Sequence, residues 1–171
     1  MKIQTNPNYW SCLPTAFAMV VNKPVVWFIR QIGHPGAEEP YGVKGLKAGF
    51  HEQECIDVVQ ELGFSCTPIE IHPTISPHPD GKDARPIFFG NNEAANWDRL
   101  LKHLYQTRGV LTGIYRKPSQ PEKIIGHAVA WDNADRQVYD PNQGRVYQLS
   151  EAYNYGFIPR CFWKVQKVQN V

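Results

Sequence analysis

The chain has no paired Cys-x-x-Cys motif, no block of like charge, no low-complexity stretch, and no apolar run long enough to cross a membrane. Each absence narrows the reading. Its 4 cysteines, Cys12, Cys55, Cys66 and Cys161, stand far apart, which argues against both a zinc site and a disulfide framework. The 18 basic and 16 acidic residues are interspersed and leave a formal charge of +2, so a basic face for nucleic acid is not expected. Met1 to Pro7 turns polar at once and does not read as a signal peptide; no membrane association is expected, and the protein is expected to be cytoplasmic. With no linker-like segment inside it, residues 1–171 are read as a single domain. The oligomeric state leaves no trace in the sequence.

What is abundant is aromatic and aliphatic material: 5 Trp, 8 Tyr and 8 Phe within a hydrophobic fraction of 42%, the composition of a folded globular chain. Helical spacing of Leu13, Ala16, Phe17, Val20 and Val21 predicts a helix beginning near Cys12, with Ser11 as N-cap and Pro14 in the tolerant first turn. A second short helix is expected over 25–32, between Pro24 and Gly33, and a third over about 51–62, with Cys55, Ile56, Val58, Val59 and Leu62 inward and Gly63 as its stop. Residues 64–71 alternate like a strand in which Pro68 indicates an edge or a bulge. Residues 94–107 read as a helix on the evidence of Trp97, Leu100, Leu101, Leu104 and Tyr105, ended by Gly109. The glycine-rich 34–50 and the Pro-, His- and Asp-rich 72–86 read as loops.

Strands are expected over 110–115, 126–132, 136–140, 145–149 and 158–168, with a short helix near 150–155. Helices first and an antiparallel sheet afterwards is an α+β order.

A thiol at a helix N-terminus sits among unpaired N–H groups and partial positive charge, which favour thiolate. The plain alternative is that Cys12 is a small core hydrophobe, as free cysteines commonly are. What raises the reactive reading is the hairpin formed by 126–132 and 136–140 around Asn133-Ala134-Asp135. With an even connection, Trp131–Arg136, Val129–Val138 and His127–Asp140 would face one another, so that Asp140 orients the His127 imidazole. Asn142 is the alternate orienter if the register slips. A thiol, a base and a group that fixes the base are the three requirements of nucleophilic acyl chemistry.

These segments resemble a known family. Cys12-Leu13-Pro14-Thr15-Ala16-Phe17-Ala18-Met19 resembles the C-G-P-T-x-x-A-M opening of papain-like cysteine peptidases of the double-glycine-leader (bacteriocin-processing) peptidase-like group. Gly126-His127-Ala128-Val129 and Val138-Tyr139-Asp140-Pro141 resemble that group's G-H-x-V and V-x-D-P segments, in the same chain order. The resemblance implies a papain-like fold in which the nucleophile helix packs on a C-terminal antiparallel sheet. It also implies a Cys12, His127, Asp140 triad that cleaves a peptide or isopeptide bond in a peptide or protein substrate, without cofactor or metal.

In the family a Gln before the cysteine supplies one oxyanion donor and the cysteine N–H another. Gln4, eight residues before Cys12, is the expected donor; Asn6, at the more widespread spacing of six, and Asn8 are its alternates. Leu13 stands where the family has Gly. No nucleotide-binding or membrane region accompanies the segment, so peptide export is not implied. Two other readings keep the same residues: acyl transfer to an amine, as in transglutaminases, and an inactive peptide-binding module.

Overall fold

The computed structural model describes residues 1–36, 49–70, 93–117, 120–152 and 154–168; side chains are described for all of these except 93–99, 117 and 120–122. The elements are α1 (Cys12–Val20), α2 (Val25–Ile32), α3 (Glu52–Glu61), β1 (Phe64–Glu70), α4 (Glu93–Gln106), β2 (Gly109–Lys117), β3 (Gln120–Asp132), β4 (Gln137–Asp140), β5 (Arg145–Tyr147) and β6 (Phe157–Lys167). A 3-10 turn over Leu149–Glu151 stands where a longer helix was expected. Of the expected loops 34–50 and 72–86, residues 37–48 of the first and all of the second lie outside the described residues, and with them Glu38, Glu39, Lys44, Lys47, His72 and His78.

The protein is α+β. One six-stranded sheet, ordered β1-β6-β2-β3-β4-β5, is antiparallel throughout. Strand alternation splits its side chains between two cores. One face carries Val110, Ala128, Ala130, Tyr139 and Val165 against α1, α2 and α3. The other carries Leu111, Val129, Trp131, Val138 and Phe162 against Leu100 and Leu104 of α4. Trp131 tolerates this burial because its indole N–H donates to the Leu104 carbonyl at 2.7 Å.

α1 is buried on every side from Pro14 to Val20, more completely than a one-faced apolar stripe requires, because it lies between the sheet and α2 and α3. Ser11 occupies its N-cap position but does not cap it: the hydroxyl donates to Asn8 Oδ1, and the Ser11 carbonyl takes the Thr15 N–H. At the other end Asn22 adopts a left-handed conformation and Lys23 N–H returns to the Ala18 carbonyl, so the chain reverses into α2. Gly33 ends α2 with φ 91°, as its place in the sequence suggests. Glu54 caps α3 by accepting the His51 N–H at 2.8 Å.

Pro68 lies on edge strand β1, where a missing N–H leaves no gap in a central ladder. On α4, Tyr105 is 51% exposed, with the Arg136 guanidinium over its ring. Two expectations need correction. The strand carrying His127 starts at Gln120 rather than 126, because Gln120, Ile124 and Ile125 also pair with β2 in a long hairpin arm. The β3–β4 register is Ala130–Tyr139, Trp131–Val138 and Asp132–Gln137, so none of the three expected pairs forms. Arg136, with φ 55°, belongs to the turn and not to the strand, which moves the pairing by two residues.

Candidate active site

A shift of two residues preserves the face of every side chain. His127 and Asp140 therefore still share one side of the sheet, as diagonal rather than opposed neighbours. Diagonal positions lie roughly 7–8 Å apart at Cα, a gap that an imidazole and a carboxylate can close. They do so: His127 Nε2 is 3.0 Å from Asp140 Oδ1. Facing a carboxylate, Nε2 carries the proton, and Nδ1 is left for the thiol.

Asp140 is itself fixed at the end of β4. Its Oδ1 also accepts the Asn142 backbone N–H at 2.9 Å, and its Oδ2 faces the Tyr147 hydroxyl at 3.4 Å. Asn142 thus takes part through its main chain, holding Asp140, and its exposed side chain does not replace Asp140 beside His127. Tyr147 escaped the reading of the sequence. The clue to it is the β4–β5 register, Val138–Tyr147, which puts a tyrosine one alternation away from Asp140 on the same face.

His127 is 6% exposed, with the rings of Tyr115 and Phe157 edge-on at 5.7 and 5.5 Å. Burial is the largest single influence on its pKa and pulls it down. The Asp140 carboxylate and the Cys12 sulfur, as acceptors facing the ring and through their negative charge, outweigh burial and push the pKa up to about 9. Cys12, half-buried at the first position of α1, is therefore close enough to the imidazole to bear on its protonation. Cys12, His127 and Asp140 thus form one group drawn from α1, β3 and β4.

The other three cysteines are also free thiols, but burial pushes each one up: Cys55 strongly, Cys66 to about 11 and Cys161 to about 12. None has an imidazole among the causes of its shift.

Gln4 does not join this group. Its amide N–H donates to the Lys23 carbonyl at 2.8 Å and its Oε1 accepts the Val25 N–H at 2.8 Å, so both ends are spent tying the N-terminal segment to the start of α2. Asn8 is likewise occupied, by the Ser11 hydroxyl. Asn6 differs from both. Its backbone N–H donates to the Pro141 carbonyl at 3.0 Å, beside Asp140, and its side-chain Nδ2 and Oδ1 are buried with no partner among the described residues. A buried amide without partners is costly, roughly 1–3 kcal/mol, and calls for a role.

No helix among the described residues is by itself long and apolar enough to cross a membrane; the apolar α1 owes its character to its place in the core. No protein-family model matches the chain, and no curated protein matches it.

Proposed function

We propose that the protein is a papain-like cysteine hydrolase, acting in the cytoplasm on an amide bond of a peptide or protein. The observation that carries this reading is the buried His127–Asp140 pair, 3.0 Å apart, with the Cys12 thiol at a helix N-terminus close enough to raise the His127 pKa. In the reaction, Cys12 Sγ attacks the carbonyl carbon as thiolate, with the proton resting on His127. His127 then gives that proton to the leaving amine as the C–N bond breaks, and a thioester to Cys12 remains. Water, deprotonated by His127, hydrolyses the thioester and restores the thiol. Asp140 keeps the imidazole in the tautomer and orientation these transfers need.

Charge on the tetrahedral oxygen requires donors that hold no other bond beforehand. Asn6 takes this role in place of Gln4, supported by its unpartnered buried amide and its spacing of six residues before Cys12. The Cys12 main-chain N–H, at the first turn of α1, is the second donor.

Labelling with iodoacetamide and with acetyl-alanyl acyloxymethyl ketone, read by mass spectrometry at all four cysteines, tests the reading. Expected is selective capture at Cys12 that falls at least about tenfold in His127→Ala. Equal labelling of Cys12 in the two proteins would refute it.

A further inference from the structure

β3 is bordered by β2 along Gly109–Lys117, but β4 covers only Ala130, Trp131 and Asp132 on its other side. Among the described residues, the β4-facing edge from Lys123 to His127 has no ladder partner. Edges of this kind are usually blunted by charge, proline or a bulge. Here Lys123 lies at the outer end, and the stretch next to the imidazole is Ile124, Ile125 and Gly126, with the two isoleucines 49% and 45% exposed. Successive strand residues point to opposite faces, so an apolar side chain borders the edge above and below. Gly126 has open space where a side chain would stand, which keeps the approach to His127 clear.

We propose that this edge receives the substrate as an added β-strand, an extended peptide segment bearing apolar, β-branched side chains that ends at Cys12. The proposal rests on the hydrolase reading and names its substrate class: unfolded apolar segments rather than helices or folded surfaces. Continuity carries it. An edge that runs directly into the general base supplies main-chain hydrogen bonds for affinity and register, and Ile124 and Ile125 supply cross-strand packing for side-chain preference. Five residues span about 16 Å, enough to order four or five substrate residues.

The test uses the acyloxymethyl ketone of acetyl-Val-Ile-Val-Ala, whose carboxylate leaves as the Cys12 thiolate forms a thioether. It should label Cys12 at least about tenfold faster than the acetyl-alanyl reagent. N-methylation of alternate amides, those turned toward β3, should slow labelling by about 3- to 10-fold each, while methylation of the intervening ones changes little. Equal rates for the long and short reagents, or N-methyl effects without a two-residue period, would overturn the proposal. So would light scattering that detects a dimer whose formation slows the long reagent, since a second copy would then occupy the edge. Failure of the hydrolase reading looks different: the short reagent itself would ignore Cys12 or be indifferent to His127→Ala, and the proposal would fall with it.

Discussion

At the scale of single residues, the site separates what spacing can reveal from what only contacts can. Cys12, His127 and Asp140 are legible because each stands in a local pattern: a helix start, a strand, a strand end before Pro141. Gln4 and Asn6 are not, because nothing local says that the Gln4 amide is claimed from 21 residues away by Val25. The two make opposite predictions. Asn6→Ala should fold normally and lower kcat on an activated ester such as p-nitrophenyl acetate by about 10²–10³, the usual worth of one oxyanion donor. Gln4→Ala should leave kcat per folded molecule unchanged and lower stability by about 1–2 kcal/mol in urea, since it loses an acceptor at the start of α2 and a donor to Lys23. His127 supplies a second test. With its pKa raised to about 9, the ring is imidazolium at neutral pH and loses its proton only as pH climbs through that value. NMR titration of the labelled ring should give that midpoint in place of the ordinary 6.5, and Asp140→Asn should move it down by removing a charge that holds the proton.

Elements were read best where punctuation is chemical. Pro24 and Gly33 frame α2, and Pro68 marks an edge strand, because backbone sterics and a missing N–H act locally. The β3–β4 register failed for an equally local reason with no sequence signal: Arg136 adopts φ 55°, a conformation seldom taken by arginine, and so joins the turn. The face survived because the error was even. β2 meets β6 through a bulge that falls between Thr112 and Gly113, leaving Arg160 as the extra residue, and Gly113 lies directly across from His127 on the other side. A Cβ at Gly113 would stand 2.1 Å from the Ile158 carbonyl oxygen and 2.8 Å from Pro159 Cα, and main chain cannot swing aside as a flexible side chain does. Gly113→Ala should therefore cost at least about 2 kcal/mol in urea unfolding and displace the strand carrying His127. The folded fraction should then show weakened His127-dependent labelling of Cys12.

For the whole molecule, the α+β order was legible and the layering was not. Helices-then-strands says nothing about α4 crossing to the opposite face from α1, α2 and α3, because which face a helix covers depends on connections that include 71–92. Yet the consequence for stability is direct. Phe17 in α1 and Leu104 in α4 are both fully buried, one on each side of the same sheet, and belong to separate core clusters. Phe17→Ala should cost about 3–5 kcal/mol and Leu104→Ala about 2–5 kcal/mol, each through a cavity its surroundings cannot fill. With the sheet between them the two losses should add to within about 0.5 kcal/mol. The sheet also makes the layers inseparable, because β3 gives Ala128 and Ala130 to one core and Val129 and Trp131 to the other. Neither core can open without exposing the strand that carries His127. Urea unfolding followed by circular dichroism and by loss of selective Cys12 labelling should therefore give one coincident transition in the wild type and in both single variants. A Leu104→Ala protein that lost its α4 signal while retaining selective labelling would mean that the two layers fold as separate units.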